Sequence, residues 1–425
     1  MEIILHPERG RWPSLITRPY IDNSAVLDTV NQVLQQVRAT GDGALLEMAA
    51  RFDGVQLESL LVSDAELLEA ENLLDSGLKA AIGNAYDNIR RFHATQQKEE
   101  AVVETMPGIR CWRRSIGIGR VGLYIPGGSA PLFSTVLMLG VPAQLAGCGT
   151  AVLCTPPMKD GLVHPAILYA ASRCGIGKIF KAGGAGAIAA LAYGTQTIPA
   201  VDKIFGPGNQ YVTAAKQLVQ QAGVAIDMPA GPSEVCVIAD DSAEPAFVAA
   251  DLLSQAEHGP DSQVLLLTDS EALLRNVQRE LEAQLAILPR GAVAAQALEK
   301  SRSVLLRDMS EAMELANEYA AEHLILHCRN AETLADSVVN AGSVFIGAFS
   351  PESVGDYASG TNHTLPTNGY ARAYSGVSVD SFVKKVTFQQ LTRAGLEAIS
   401  GTVTAMAEAE GLQAHAEAVR VRLKA

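Results

Sequence analysis

Positive charge is scarce in this chain: 33 Lys and Arg stand against 46 Asp and Glu, for a net charge of -13 at pH 7. A surface of that sign repels a phosphate backbone and an anionic lipid face, so neither nucleic acid nor membrane is an expected partner. Cysteine is sparse as well. The six (Cys111, Cys148, Cys154, Cys174, Cys236, Cys328) show no C-x-x-C spacing. Most sit in apolar company, which points to buried reduced thiols rather than a disulfide framework. The start, Met1-Glu-Ile-Ile-Leu-His-Pro-Glu8, lacks the basic opening and long apolar core of a signal peptide, so a cytoplasmic location is expected.

Charge of either sign is missing from Val121 to Met158, a run long enough to span a bilayer. Pro126, Gly127, Gly128, Pro131, Pro142, Gly147 and Gly149 interrupt it, so it reads as strand, glycine-rich turn, helix and strand buried in a parallel sheet. What the chain has in quantity is apolar side chain, 48% against 19% charged. Over 425 residues that suffices for two or three domains rather than one core.

Periodicity supplies the order of elements. Residues 24–51 and 64–97 read as helices, with Val26, Val30, Val33, Leu34 and Val37 on one face. From Cys111 strands and helices alternate: strands at 151–154, 178–182 and 203–205, helices at 132–145, 165–173, 187–193 and 211–221. A second alternating run covers 235–346, a Gly-, Ser- and Asn-rich loop covers 347–378, and a helical tail follows. The pattern predicts an α/β protein of two doubly wound, Rossmann-like domains with small N-terminal and helical C-terminal segments. The expected division is an arm at 1–20, one domain of 21–120 with 235–378, a second at 121–234, and a helical segment at 379–425.

Four constellations offer chemistry. Pro245 and Gly259-Pro260 bracket a helix on which Asp251, Ser254, Gln255 and His258 share one side. Gln255 and His258, at i and i+3, aim an amide oxygen and an imidazole at one point; a solvated polar stripe is the alternative. Glu322-His323 places a carboxylate and an imidazole at a helix-to-strand junction, suited to general acid–base work. The long loop carries Asp356 and His363, and the tail junction carries Glu410 and His415. Gln255, His258, Asp356 and His415 would give zinc O, N, O and N donors, although no spacing alone demonstrates a metal. Two glycine turns follow strands, Gly184-Ala-Gly-Ala-Ile-Ala189 and Gly206-Pro-Gly-Asn209, and strand-end turns of this kind point to a nucleotide site.

Longer stretches carry a resemblance. Val121-Gly-Leu-Tyr-Ile-Pro-Gly-Gly-Ser-Ala-Pro131, Lys203-Ile-Phe-Gly-Pro-Gly-Asn209, Ile226-Asp-Met-Pro-Ala-Gly-Pro-Ser-Glu234, Leu252-Leu-Ser-Gln-Ala-Glu-His-Gly-Pro260 and Gly355-Asp-Tyr-Ala-Ser-Gly-Thr-Asn-His363 resemble the histidinol dehydrogenases, over about residues 15–420. The resemblance implies NAD-linked, four-electron oxidation of L-histidinol to L-histidine by a homodimer with shared active sites and one Zn2+ per subunit. It implies zinc ligands Gln255, His258, Asp356 and, from the partner subunit through the C-terminal segment, His415. It also implies catalytic Glu322 and His323, and substrate contacts from Ser233, His363 and Glu410 together with Gln255, His258, His323, Asp356 and His415. Tyr124, Asn209 and Gly186 match its NAD-contacting positions. Gly186 departs from the family's Gln, removing a side-chain contact, and Ala321 replaces a Pro before Glu322. A related zinc/NAD dehydrogenase acting on another polar alcohol is the alternative.

Overall fold

The computed structural model describes residues 1–18, 24–127, 131–229 and 231–424. Gly128, Ser129 and Ala130 of the turn expected at 126–131 lie outside the described residues, as do residues 19–20 of the expected arm.

Two parallel sheets organise the molecule. One has five strands in the spatial order Lys178–Lys181, Thr150–Thr155, Arg120–Tyr124, Lys203–Phe205, Ala225–Ile226. The chain works outward from Arg120–Tyr124 in one direction, then returns to its other side, so the winding reverses between Arg120–Tyr124 and Lys203–Phe205. That reversal opens a crevice at the carboxyl ends of these two strands. The other sheet has six strands, in the order Glu2–Leu5, Arg302–Leu305, Gln263–Thr268, Glu234–Ala239, His323–His327, Ser343–Ile346. Its central strands are buried on both faces and carry apolar runs, as in Val235-Cys-Val-Ile-Ala239. No helix among the described residues is long and apolar enough to cross a membrane.

Three features differ from the sequence reading. The helices of 24–94 do not join residues 235–378; they pack on the five-stranded half. Val26, Val30, Leu34 and Val37 of Ser24–Thr40 share a core with Ala187, Ile188 and Leu191 of Gly184–Tyr193. That helix is alanine-rich, and its small side chains let a neighbouring helix approach closely. Ile82, Ala85 and Ile89 of Ser76–Ala94 likewise pack with Val136, Leu137 and Val141 of Phe133–Leu145. Second, the arm is part of a sheet: Glu2–Leu5 pairs in parallel with Arg302–Leu305. Third, 379–425 is not wholly helical. Val383–Leu391 is a strand antiparallel to Ile109–Gly117, in a three-stranded sheet completed by Val103–Met106. The helices Arg393–Ala409 and Gln413–Lys424 follow it.

Candidate active site

The six-stranded sheet gathers its chemistry at the amino ends of its central strands. Glu234 and His323 open neighbouring strands, with His323 paired to Val235. The backbone of Glu234 therefore faces both members of the expected acid–base pair. Its N–H donates to Glu322 Oε2 at 3.0 Å, and its carbonyl oxygen lies 3.3 Å from His323 Nδ1. Arg18 fixes Glu234 in turn, donating from Nη2 to Oε2 at 2.8 Å while its guanidinium lies over the Tyr319 ring.

The helix Pro245–Ala256 runs back toward the same end and delivers Gln255 at its last turn. Its polar side is not solvated: Gln255 is fully buried, and Asp251 is buried one turn earlier with its carboxyl pushed up to about 7 by desolvation. Ser254 Oγ donates to the Asp251 carbonyl oxygen at 2.8 Å, so it serves its own helix. His258 lies just past the helix end and remains exposed at the rim. Opposite, the loop reading of 347–378 hides a short helix, Glu352–Tyr357, that carries Glu352 and Asp356 one turn apart.

These elements converge. Donor atoms of His258, Glu352 and Asp356 all lie within 4.8 Å of one another. His323 stands beside them, with Nε2 3.4 Å from Asp356 Oδ1, and Nδ1 3.7 Å from Glu322 Oε2 and 3.9 Å from Glu352 Oε1. His323 Nε2 is buried without a hydrogen bond. Among the described residues no Lys or Arg pairs with Glu322, Glu352 or Asp356; only His323 does. Three carboxylates, two imidazoles and no fixed cation form a donor set that fits a divalent metal ion.

The electrostatics follow from this crowding. Burial pushes the Glu322 carboxyl up to about 7, against the opposing pull of His323. For His323 burial favours the neutral ring, but the carboxylates of Glu352, Glu322 and Asp356 outweigh it and raise its pKa to about 10. Asp356 is pushed up by burial yet ends below the usual carboxylate range because His323, His363 and His258 face it. Glu352 is raised to about 8, chiefly by burial.

His363 ties this cluster to the other half. Its Nδ1 lies 2.8 Å from the Asp356 carbonyl oxygen and its Nε2 3.1 Å from Thr135 Oγ1 of Phe133–Leu145. Both ring nitrogens are thus engaged. Ser233 immediately precedes the strand Glu234–Ala239, half-buried beside Glu322's backbone partner. Glu410 and His415 are exposed at the junction of the last two helices, and neither makes an ion pair or side-chain hydrogen bond with the cluster among the described residues.

The crevice of the five-stranded sheet holds a cavity of about 800 Å³ lined by Tyr124, Gly184, Gly186, Asn209, Asp53 and Lys159 among others. Tyr124 ends its strand there, and its phenolic oxygen accepts from the Gly184 N–H at 3.1 Å. Asn209 caps the helix Gln210–Gln221, its Oδ1 accepting from the N–H groups of Tyr211 and Val212. At Gly186 a side chain would begin 2.8 Å from Met48 Sδ and 3.2 Å from Leu45 Cδ2. Met48 and Leu45 thus crowd this position.

Sequence reasoning missed Glu352 and Glu234. The signal for Glu352 was present: two carboxylates four apart after Pro351, the spacing that puts both on one face of a helix.

A profile described as histidinol dehydrogenase matches residues 16–423. The histidinol dehydrogenase of Bacteroides thetaiotaomicron is 58% identical over 423 residues, covering 100% of this chain and 99% of its own. The chloroplastic histidinol dehydrogenase of Arabidopsis thaliana is 56% identical over 97% of this chain and 88% of its own. A crystal structure of histidinol dehydrogenase from Elizabethkingia anophelis superimposes with a TM-score of 0.97 at 54% identity, covering 100% of this chain and 98% of that one.

Proposed function

Because the chain belongs to the histidinol dehydrogenase family, we propose that it oxidises L-histidinol to L-histidine through L-histidinaldehyde, in two NAD-linked steps at a zinc site, as the last step of histidine biosynthesis. The observation that carries this reading is the cluster of His323, Glu322, Asp356 and His258, in which an acid–base pair adjoins a donor set without a fixed cation.

Gln255, His258 and Asp356 would hold zinc from one subunit, with His415 of a second copy completing the set. Tyr124, Asn209 and the turn at Gly184–Gly186 would line the NAD site. When bound, zinc supplies a template for the substrate's imidazole and amino nitrogens, and NAD supplies the hydride acceptor. His323 takes the proton of the alcohol hydroxyl in the first oxidation. The surrounding carboxylates by themselves hold the ring protonated; a bound dication would share their charge, leaving His323 free to accept this proton and to pass it on. Glu322, held near neutrality by burial, accepts a proton from the water that adds to the aldehyde, and His323 deprotonates the resulting hydrate in the second oxidation. Ser233, His363 and Glu410 would contact the cationic substrate, and His363 would also steady the Asp356 backbone. The reading extends to a cytoplasmic homodimer, and the exposure of Glu410 and His415, unbonded to the cluster of their own chain, supports the dimer.

The test is NADH formation at 340 nm with L-histidinol and zinc. Two NADH per histidinol are expected, and no absorbance change would reject the proposal.

A further inference from the structure

Glu352 stands among the donors that could hold an ion, yet it is the one buried carboxylate of the cluster to which the proposed function gives neither proton transfer nor a metal bond. It is 1% exposed, and among the described residues its one salt-bridge partner is His323 at 3.9 Å. Such a group is costly to bury unless its acceptor sites are met. The side chain that meets them is Gln255. The Gln255 amide can be turned either way about its last torsion, and only one orientation satisfies its neighbours. With the nitrogen toward Glu352, it donates to Oε1 at 2.7 Å and Oε2 at 3.2 Å and lies 3.1 Å from His323 Nδ1. The reverse orientation sets the amide oxygen against the carboxylate.

We propose that Glu352 is a positioning residue that holds the Gln255 amide by its nitrogen and so reserves the amide oxygen for the metal. Glutamine offers a metal only one good donor, its carbonyl oxygen, and an unrestrained amide spends part of its time presenting N–H groups instead. A carboxylate facing the nitrogen removes that half of the population. Partners behind a metal ligand commonly change metal affinity by about 10–100-fold when lost. The placement is economical in sequence: Glu352 and Asp356 are successive turns of one helix, so the segment that supplies a ligand also orients a ligand of the facing helix.

This inference rests on the proposed zinc site, and its test separates the two. Zinc affinity is measured by competition with a chromophoric chelator for the wild type, Glu352→Ala, Glu352→Gln, Gln255→Ala and the Glu352→Ala/Gln255→Ala double variant, each checked for folding by circular dichroism and Tm. No zinc uptake by the wild type would reject the zinc site itself. With the wild type binding, Glu352→Ala is expected to weaken affinity by about 10–100-fold. Glu352→Gln, whose amide oxygen still accepts from Gln255, is expected to recover most of that loss. The double variant is expected to bind no more weakly than Gln255→Ala, because Glu352 then has no amide to hold. Additive losses would overturn the inference and make Glu352 a direct ligand. A Glu352→Gln variant as weak as Glu352→Ala would overturn it too, since charge rather than orientation would then matter. If the alanine variant does not fold, the glutamine variant and its combination with Gln255→Ala decide on the same criteria.

Discussion

Lys216 shows how much a single side chain can hold at a turn. It is buried in an ion pair with Asp227 and donates from Nζ to the Gly206 carbonyl oxygen at 2.9 Å, while Asp227 Oδ2 accepts from the Gly206 N–H at 2.8 Å. Both ends of the Gly206 peptide are thus anchored at the mouth of the crevice. Gly206 itself has φ of +131°, and a side chain there would start within reach of the Tyr124 carbonyl. Lys216→Met leaves the Asp227 carboxylate buried without its cation, and should cost about 3–5 kcal/mol in urea denaturation. His93 governs a pH response. It is buried, with Nε2 unpartnered and Nδ1 3.0 Å from Gln96 Oε1, and burial holds its pKa below the usual histidine value. The unfolded chain therefore binds the proton more tightly. This contribution to stability is complete above the ordinary pKa of about 6.5 and is lost as pH falls through it toward the lower folded value. Tm measured from pH 7 to pH 5 should fall less for His93→Gln than for the wild type.

Among the elements, the helix Glu352–Tyr357 sits against the strand below it through a glycine. A Cβ at Gly355 would meet the Phe345 ring at 2.6 Å, and that ring lies 5.9 Å from the ring of His323. Gly355→Ala must lift the helix or tilt Phe345, and either movement displaces Glu352 and Asp356 from His258. We expect a stability cost of about 1–3 kcal/mol together with weakened zinc binding, read by thermal denaturation and chelator competition on the same samples. This helix also marks the boundary of what the sequence discloses. Val235-Cys-Val-Ile-Ala239 and Gln263-Val-Leu-Leu-Leu267 are strands because continuous apolar runs suit a sheet buried on both faces, and they are legible at once. Val383-Lys-Lys-Val-Thr-Phe-Gln-Gln-Leu391 is a strand with most side chains exposed, and its polar composition reads as part of the tail. Glu352-Ser-Val-Gly-Asp-Tyr357 is too short to show a period. At the site, Gln255 and His258 are visible as neighbours on a helix, but only the longer motif match favours proposed ligands over a solvated stripe. Glu352 belongs to no such motif reading; its role depends on a helix some hundred residues away in sequence, a distance that local patterning does not cross.

At the scale of the whole molecule, the proposed site draws on two chains. Glu410 and His415 lie exposed in one copy, whereas His258, His323 and Asp356 are assembled within it. A twofold dimer that exchanges its C-terminal helices makes each active centre a composite. His323→Ala and His415→Ala should each be inactive alone. Mixed and reassociated in equal amounts, they should regain about a quarter of wild-type activity, because half of the dimers are then mixed and each mixed dimer has one intact centre. No recovery, with subunit exchange verified by differently tagged chains, would place His415 in its own chain's site.

The pairing of Glu2 with Arg302 sets a timetable for synthesis. The first strand leaves the ribosome long before its partner exists, since their register spans 300 residues of chain. Meanwhile residues 24–226 contain every strand of the five-stranded sheet and the helices that cover it. That half can close while the other still lacks most of its strands. The nascent chain therefore carries an unpaired apolar strand, Glu2-Ile-Ile-Leu5, through most of its translation, and contacts this distant in sequence form late. The proposed acid–base pair is assembled later still. His323 reaches its place between Glu234 and Asp356 only after residue 356 has emerged, so no catalytic centre exists before most of the chain has been made.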